Sequence, residues 1–380
     1  MKVLFLVTHL LGTGHLTRAL TLARAFAAQG HQTAVISGGM PIRNLDTSGI
    51  ALHQLPPVRS NGVDFTRLLD GQNNTVSDSY MKDRARKADD ILRCMEPDIM
   101  MTELFPFGRR ILKSEFTDVL ETATARAHPP IIGSSIRDIL APPSKPAKAQ
   151  FADDTLARYY DFVLCHSTAE VTPLDLSWPM SETIASRLHY TGFVAPPTAP
   201  KHPEALGTGE VLVSAGGGDV GDQVFDVALA AAAMDRRHWR LLIGGGDPEQ
   251  RIAPLQRRAP ANVILEPARP DFRQMLHHAA ASVSLCGYNT ALDVLQSGVP
   301  AVFVPFDAGN EVEQGIRADA LAQQSGIQTL RFAELTPARL LAAVNAVTAA
   351  PARPLSDTGF DGAARSVRIV EDLFEARDGG

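Results

Sequence analysis

Cysteine is scarce in this chain of 380 residues, which contains only three. Cys94, Cys165 and Cys286 lie far apart in the sequence and are odd in number. They form no Cys-x-x-Cys pair, so the chain has neither the cysteine spacing of a metal site nor a disulfide framework. Proteins without disulfides suit a reducing compartment. We therefore expect the chain to reside in the cytoplasm.

A surplus of positive charge is also missing. The chain has 36 Lys and Arg residues against 42 Asp and Glu residues, which gives a formal net charge of −6 at pH 7. Proteins dedicated to nucleic-acid binding normally carry a basic surplus or a basic stripe. The composition therefore argues against a nucleic-acid partner.

Long hydrophobic runs are absent as well. No apolar run approaches the ~18 residues that a membrane-spanning helix needs, and the longest, at residues 228–234, is mostly alanine. Near the N-terminus, Lys2 is followed by the apolar residues 3–7, as at the start of a signal peptide, but His9 and Gly12 interrupt this pattern before any cleavage site. We therefore expect no signal peptide and no transmembrane segment. Peripheral contact with a membrane is left open.

Short apolar runs alternate with helix-length segments along the whole chain. Hydrophobic residues make up 45% of the sequence, which is enough to bury sizeable cores, and the length suggests two or three domains. Alternation of strands and helices is typical of parallel sheets with helices on both faces. The pattern therefore predicts two doubly wound α/β domains. The predicted strands cover residues 3–8, 33–37, 99–102, 131–134 and 162–165 in the first half, and residues 211–214, 239–243, 263–265, 282–285 and 301–304 in the second.

A proline-rich segment divides the two halves. Residues 194–203 contain four prolines, and proline can continue neither a helix nor a central strand because it lacks a backbone N–H. We place a linker there, between an N-terminal domain at residues 1–195 and a second domain at residues 204–355. Residues 56–79 are polar and aperiodic, which is typical of a long loop that is either functional or disordered.

The first turn between a strand and a helix contains two glycines and a histidine. In open parallel sheets, ligands bind at such turns. Residues 12–15 read Gly-Thr-Gly-His, but Thr17 stands where a dinucleotide-binding fingerprint has glycine or alanine, and the second strand ends on Ser37 rather than on an acidic residue. Both departures argue against a nicotinamide cofactor. His15 is left at a helix N-terminus, where it is either a general base or a residue that packs or caps the helix.

Two glycine-containing turns in the second half suit a phosphate group. Residues 216–218 are consecutive glycines between a strand and a helix, so they are either a phosphate-binding turn or a flexible tight turn. No Gly-Lys-Ser/Thr follows them, so they are not a Walker A loop. Gly287 ends another predicted strand, and Tyr288 opens a helix whose N–H groups suit a diphosphate without a metal. Asp293 comes one helical turn later and can accept both hydroxyls of a ribose.

One stretch of the second half contains an ordered series of such residues. Between residues 283 and 318 the order is Gly, Asn-Thr, an acidic residue, Gly-x-Pro, Pro-Phe, Glu-Gln and Arg-Ala. This order resembles the nucleotide-binding region of the MurG-like glycosyltransferases, which are inverting GT-B enzymes with a family-28-type C-terminal domain. Gly-Thr-Gly-His at residues 12–15 and Thr-Arg-Ala-Leu at residues 17–20 resemble the same group. Further segments resemble a bacterial branch of predicted glycosyltransferases: residues 97–110, 135–138 and 190–194.

The resemblance implies a fold and a set of donor-site residues. It implies two Rossmann-like domains facing across a cleft, with a terminal helix at about residues 360–378 packing back on the first domain. Asp293 stands where the family has glutamate, and would bind the ribose. The other implied residues are Gly216, Gly217, Gly287, Tyr288, Asn289 and Thr290 for the diphosphate, Arg269 and Phe272 for the base, and Glu313 and Gln314 for the sugar. Each of them, taken alone, also fits a surface or packing role.

The resemblance also implies an acceptor side in the first domain, with His15 as the candidate base. Glu103, at the carboxyl end of a predicted strand, either orients His15, binds the acceptor or caps the surface before Pro106. Arg109 and Arg110 either meet an anionic acceptor or remain solvated surface charges. The remaining implied residues of this side are Gly12, Gly14 and Asp138.

The function implied is transfer of a sugar from a nucleotide sugar, in the first place a UDP-sugar, to a hydroxyl acceptor with inversion. No metal is expected, because the sequence has no Asp-x-Asp motif and no His–carboxylate pair at ligand spacing. Two alternatives stay open. A non-hydrolysing UDP-sugar epimerase would turn over without an acceptor, and a catalytically silent nucleotide-sugar sensor would bind UDP without turnover.

Overall fold

The computed structural model describes residues 1–42, 45–61, 64–215, 221–307, 311–353 and 359–378. The chain divides into two compact units. The first consists of Met1–Val194 together with Asp361–Gly380, and the second of Ala195–Phe360. Among the described helices, none combines the length and the apolar character that crossing a membrane requires.

The first unit is built on a seven-stranded parallel sheet, whose strands are β1 (Lys2–Val7), β2 (Gln32–Ser37), β3 (Ile50–Gln54), β6 (Ile99–Glu103), β7 (Ile131–Arg137), β8 (Phe162–His166) and β9 (Leu188–Tyr190). The spatial order is β3-β2-β1-β6-β7-β8-β9. The central strands are buried on both faces, which explains why they are continuous apolar runs rather than alternating ones. A separate antiparallel pair consists of β4 (Arg59–Asn61) and β5 (Asp64–Leu69).

Helices cover both faces of this sheet: α1 (Gly14–Ala28), α2 (Asp78–Met95), α3 (Lys113–Thr124), α4 (Pro146–Tyr159) and the short α5 (Glu182–Ala185). Successive residues of β1 serve opposite faces, as strand geometry requires. Phe5 packs in the core that contains α1, whereas Leu6 packs in the core formed with α2 and α3. The amphipathic helices predicted between the strands therefore supply the two apolar layers of the unit.

The second unit contains a six-stranded parallel sheet: β10 (Val211–Ser214), β11 (Trp239–Ile243), β12 (Val263–Pro267), β13 (Ala281–Ser284), β14 (Ala301–Phe303) and β15 (Ile327–Thr329). Its order, β12-β11-β10-β13-β14-β15, is the 3-2-1-4-5-6 order of a dinucleotide-binding fold. Its helices are α6 (Asp222–Ala232), α7 (Pro248–Gln256), α8 (Phe272–Met275), α9 (Tyr288–Ser297), α10 (Glu313–Leu321) and α11 (Pro337–Ala349).

The last helix, α12 (Gly362–Asp378), belongs to the first unit although it follows the second in sequence. Val367 and Val370 of α12 are buried in the same core as Phe5 and Phe26. A bridge between Val194 and Asp361 joins the two ends of the first unit where the chain leaves it and returns.

Two segments differ from their sequence-based description. Residues 56–79 were expected to form a loop, but they contain the β4–β5 hairpin, which Val58 and Leu68 anchor in the core of the first unit. Polar residues dominate this hairpin, so it lacks an apolar signature. The proline-rich segment belongs to the second unit from Ala195 onwards, because its carbonyl groups bind side chains there. Arg273 donates to the carbonyl of Pro197.

Candidate functional site

The topology of the first unit brings the first glycine turn and Glu103 to one edge of the sheet. In this sheet β1 lies between β2, which follows it in sequence, and β6, which comes later in the chain. The strand order therefore reverses at β1. Ligands bind at such a reversal of strand order, beyond the carboxyl ends of the strands. Leu6 of β1 pairs with Thr102 of β6. The helix that follows β1 therefore starts close to Glu103, the last residue of β6.

His15 and Glu103 form a hydrogen bond at this point. Nδ1 of His15 lies 2.9 Å from Oε1 of Glu103, and only 3% of the Glu103 side chain is exposed. This burial excludes a surface-capping role for Glu103. An ionised carboxylate can only accept hydrogen bonds, so His15 donates Nδ1–H and keeps the lone pair on Nε2. Within the part of the chain that the structure describes, no protein group bonds to that Nε2.

The electrostatics of this pair favour a neutral imidazole beside an ionised carboxylate. Burial lowers the pKa of His15 from 6.5 to about 3, although the bond to Glu103 opposes this shift. Burial by itself raises the pKa of Glu103, but the charge of Arg18 and the bond from His15 outweigh it and hold that pKa at about 2. A neutral imidazole held by a carboxylate through Nδ1 is the arrangement of a general base.

Arg18 is a member of this site that the sequence reasoning missed. Its guanidinium donates to Oε1 of Glu103, and its side chain is 7% exposed. Arg18 lies one helical turn after His15 on α1, so both side chains project from the same face. The Thr-Arg-Ala-Leu segment that supported the family resemblance contains Arg18, but only the structure shows its partner.

Ser135 and His166 were missed as well. Oγ of Ser135 lies 2.9 Å from Oε2 of Glu103, and Nε2 of His166 lies 2.9 Å from the same hydroxyl. Both residues are fully buried near the carboxyl ends of β7 and β8. A polar residue at the end of an apolar strand is the sequence signal that could have identified them.

The other residues assigned to the acceptor side lie around the same edge. Arg109 adopts a left-handed backbone with φ of 58°, and its Nε donates to the carbonyl of Thr8 at 2.7 Å. Burial lowers the pKa of Arg109 to about 10, and the charge of Glu103 opposes that shift. Asp138 is buried directly after β7, where its charge acts on the thiol of Cys165. At Gly12 and Gly14 nothing lies within 4 Å of the position a Cβ would occupy.

The second unit has its own reversal of strand order, between β10 and β13. The turn after β10 contains Gly216 and Gly217, which lie outside the described residues. The turn after β13 is described: β13 ends at Ser284, and a short loop leads to α9. Gly287 therefore caps the helix and does not end the strand, because the strand pairing stops three residues earlier.

The N-terminus of α9 presents backbone donors that no bond within the helix uses. The first bond within the helix runs from Ala291 N to the carbonyl of Gly287, at 2.9 Å, so the N–H groups of Asn289 and Thr290 precede it. Asn289 is exposed, and nothing lies within 4 Å of a Cβ built on Gly287. Tyr288 packs under the guanidinium of Arg317, which lies 5.9 Å from the ring centre. This helix end has the geometry of an anion site.

Gln314, assigned to sugar binding, holds two loops in this unit. Its Oε1 accepts from the backbone N–H of Cys286 and from that of Phe306, each at 3.1 Å. These groups belong to the loops after β13 and β14, and the side-chain NH2 of Gln314 remains as a donor. Glu313 is the first residue of α10, where its N–H bonds to Glu311.

Asp293, assigned to the ribose, is half-buried and paired with a cation. Nε of Arg273 donates to its Oδ1 at 2.8 Å. Burial raises the pKa of Asp293, and Arg273 opposes this rise. Arg273 also donates to Oε1 of Gln296 and to the carbonyl of Pro197, so it is fixed on three sides.

The two residues assigned to the base lie after β12. Arg269 forms a two-bond ion pair with Asp271, with Nε–Oδ1 of 2.8 Å and Nη2–Oδ2 of 2.6 Å. Phe272 is the first residue of α8, and it is only partly buried. The structure thus places Arg269 and Phe272 next to each other.

Comparison with known proteins supports the reading of the second unit. Residues 223–367 match the glycosyltransferase family 28 C-terminal domain. A curated relative from Brucella anthropi, the UDP-N-acetylglucosamine--N-acetylmuramyl-(pentapeptide) pyrophosphoryl-undecaprenol N-acetylglucosamine transferase, is 30% identical over 172 residues. This match covers 42% of the chain, and the chain spans about 45% of the relative's length.

Solved structures share the fold over nearly the whole chain. Acinetobacter baumannii MurG superposes with a TM-score of 0.63 at 16% identity, covering 99% of this chain and 100% of MurG. The calicheamicin glycosyltransferase CalG4 gives a TM-score of 0.63 at 18% identity, covering 99% of each chain. The chain therefore has the GT-B fold of these glycosyltransferase structures, and residues 223–367 are similar to the glycosyltransferase family 28 C-terminal domain.

Proposed function

We propose that this protein transfers a sugar from a nucleoside diphosphate sugar to a hydroxyl group of an acceptor, with inversion at the anomeric carbon. The observation that carries the proposal is the buried His15–Glu103 pair, whose neutral imidazole keeps Nε2 as an acceptor. A base in this state is what direct displacement by a hydroxyl requires. The match of residues 223–367 to the glycosyltransferase family 28 C-terminal domain supports the choice of reaction.

The first unit supplies the base in this proposal. Nε2 of His15 accepts the proton of the acceptor hydroxyl while the hydroxyl oxygen forms a bond to the anomeric carbon. The bond from that carbon to the diphosphate oxygen breaks, and its electron pair leaves with the diphosphate. Glu103 stabilises the imidazolium that forms, because its ionised carboxylate already accepts Nδ1–H.

The second unit supplies the site for the leaving group. The N–H groups of Asn289 and Thr290 and the dipole of α9 stabilise the charge that develops on the diphosphate. We propose that this stabilisation takes the place of a divalent metal.

The remaining donor contacts follow the sequence-based assignment. Gly216 and Gly217 complete the diphosphate site, Arg269 and Phe272 border the base, Asp293 binds the ribose, and Glu313 and Gln314 contact the sugar. Uridine is proposed as the nucleoside because the Brucella anthropi relative is named for a UDP-sugar. The acceptor-side residues Arg109 and Asp138 are proposed to contact the acceptor from the first unit.

A thermal-shift screen in metal-free buffer tests the donor proposal. Nucleoside diphosphates and UDP-sugars are added with a chelator present, and UDP is expected to raise the melting temperature. A ligand at about 100 times its dissociation constant stabilises the fold by about 2.7 kcal/mol. A screen in which no nucleoside diphosphate raises the melting temperature would contradict the proposal. Formation of an epimeric nucleotide sugar without any acceptor would instead show the epimerase reaction.

A further inference from the structure

A row of buried polar residues extends from the His15–Glu103 pair across the sheet of the first unit. Glu103 ends β6, Ser135 lies near the end of β7, His166 ends β8, and Thr191 directly follows β9. These are four neighbouring strands. Ser135 Oγ lies 2.9 Å from Glu103 Oε2, His166 Nε2 lies 2.9 Å from Ser135 Oγ, and His166 Nδ1 lies 2.9 Å from Thr191 Oγ1.

Counting protons gives this row a direction. Glu103 only accepts, so the single hydroxyl proton of Ser135 points to Glu103. Ser135 must then accept Nε2–H from His166. Burial, reinforced by the charge of Arg18, lowers the pKa of His166 to about 3, so the ring is neutral and its single proton is on Nε2. Thr191 Oγ1 lies 2.9 Å from Nδ1 of His166 and also donates to the carbonyl of Gly192 at 2.7 Å. The donors of His166 and Ser135 point towards Glu103.

Three charged groups among the described residues act on the charge of His15: Glu103 on β6, Arg18 on α1 and Arg109 after β6. His166 on β8 is neutral and reaches Glu103 through Ser135. Glu103 receives donors from His15, from Arg18 and from Ser135. Of these three bonds, the one from Ser135 reaches Oε2, whereas the other two reach Oε1. Ser135 therefore fixes which carboxylate oxygen faces His15.

We propose that Ser135 and His166 are positioning residues that set the orientation and the acceptor strength of Glu103, and through it the basicity of His15. The catalytic meaning of this relay rests on the proposed function, in which His15 is the base. The physical effect of Ser135 and His166 on His15 does not rest on the proposed function, because their hydrogen bonds exist in the resting protein. Two readouts, one of them independent of any reaction, separate these claims.

The first test compares two adjacent serines. Ser135→Ala removes the donor to Oε2 and leaves more charge on Oε1, so the bond from His15 strengthens and its Nδ1–H proton resonance moves downfield. Ser134→Ala is the matched control, because Ser134 is equally buried but donates to the carbonyl of Phe105. We expect the control to leave the resonance in place. An unchanged resonance in Ser135→Ala would overturn the proposal.

The second test uses two amides in place of His166. Gln places its NH2 where Nε2–H lies in His166 and so keeps the donor to Ser135, whereas Asn places its amide near the Nδ1 position and loses it. We expect His166→Asn to reproduce the downfield shift of Ser135→Ala and His166→Gln to restore the wild-type position. If His166→Asn and His166→Gln shift the His15 resonance equally, then His166 acts only by packing, and the proposal for His166 is overturned.

Turnover supplies the readout that depends on the function. In Ser135→Ala and His166→Asn, the acid limb of the pH–rate profile should move to higher pH by about half a unit or more, as expected for a change of one hydrogen bond. The double variant should show no further shift, because His166 acts through Ser135. If the His15 resonance shifts but the acid limb of the pH–rate profile does not, then Ser135 and His166 do not control the basicity of the base, and this part of the proposal is overturned. A resonance shift without transfer to any acceptor contradicts the proposed function while the coupling stands.

Discussion

At the scale of single residues, His15 illustrates how burial prepares a base. An imidazole in water is half protonated near pH 6.5, and burial in the first unit lowers its pKa to about 3. Glu103 limits this shift, yet the ring remains neutral throughout the neutral range. The same carboxylate that would hold the imidazolium after proton transfer already fixes the tautomer before it.

The pH dependence of turnover follows from the lowered pKa of His15. The base works only when unprotonated, so the rate should be constant at neutral pH and fall on acidification well below pH 6.5. His15→Ala should reduce turnover by about 10²–10⁴-fold and remove that limb, while the affinity for UDP stays unchanged. Glu103→Gln should cause a smaller loss. An acid limb that persists in His15→Ala would assign the base to another residue, with Asp138 as the next to test.

Asp293 gives a second prediction at this scale. Asp293→Ala should weaken binding of the nucleotide by about 1–3 kcal/mol, because charge-assisted bonds to the ribose are lost. Gln296→Ala is the matched control, since Gln296 also binds Arg273 from the same helix but is given no ligand contact. Isothermal titration with UDP compares the two variants. Equal losses would show that Asp293 acts by holding Arg273 and not by touching the ribose.

At the scale of elements, apolar runs predicted the strands well where burial is complete. The runs at 99–102 and 239–243 correspond to β6 and β11, which are buried at every position. β3 was missed because it is half exposed and ends in His53 and Gln54. β9 and β15 were missed because each has only three residues that include polar ones, whereas the equally short β14 is wholly apolar and buried. A strand that is short or exposed on one side contributes too few apolar residues to stand out from a loop.

The same limit applies to the candidate site. His15 and Glu103 could be assigned to one edge because each follows an apolar strand. The partners Ser135 and His166 depend on the order β6-β7-β8 in the sheet, which apolar runs do not specify. Arg18 could not be distinguished from a solvated helix residue, since only the burial of Glu103 gives it a partner.

Gln314 tests how one side chain of α10 holds two loops. Gln314→Ala removes the side-chain oxygen that accepts from the N–H groups of Cys286 and Phe306, which should cost about 1–3 kcal/mol of folding stability. Gln314→Glu keeps an acceptor oxygen and should preserve most of that stability, but it should bind the nucleotide sugar more weakly because the NH2 donor is lost. Urea unfolding and ligand titration measure the two effects. Wild-type affinity in Gln314→Glu would contradict the contact with the sugar.

At the scale of the whole molecule, the first unit is discontinuous in sequence. Its sheet and first five helices precede the second unit, and α12 completes its core only after the second unit has been traversed. The second unit is continuous from Ala195 to Phe360 and has its own core. Stability of the two cores should therefore respond to different substitutions, even though one chain forms both.

Two valine truncations test this independence. Val370 on α12 and Val344 on α11 are both fully buried, one in each core. Val370→Ala should lower the protection of β1 amides against hydrogen exchange by about 2 kcal/mol and leave β10 amides unchanged, and Val344→Ala should do the reverse. If either truncation lowers the protection of amides in both β1 and β10, the two cores unfold together. A cavity in one core would then expose amides in the other core, which it does not contact.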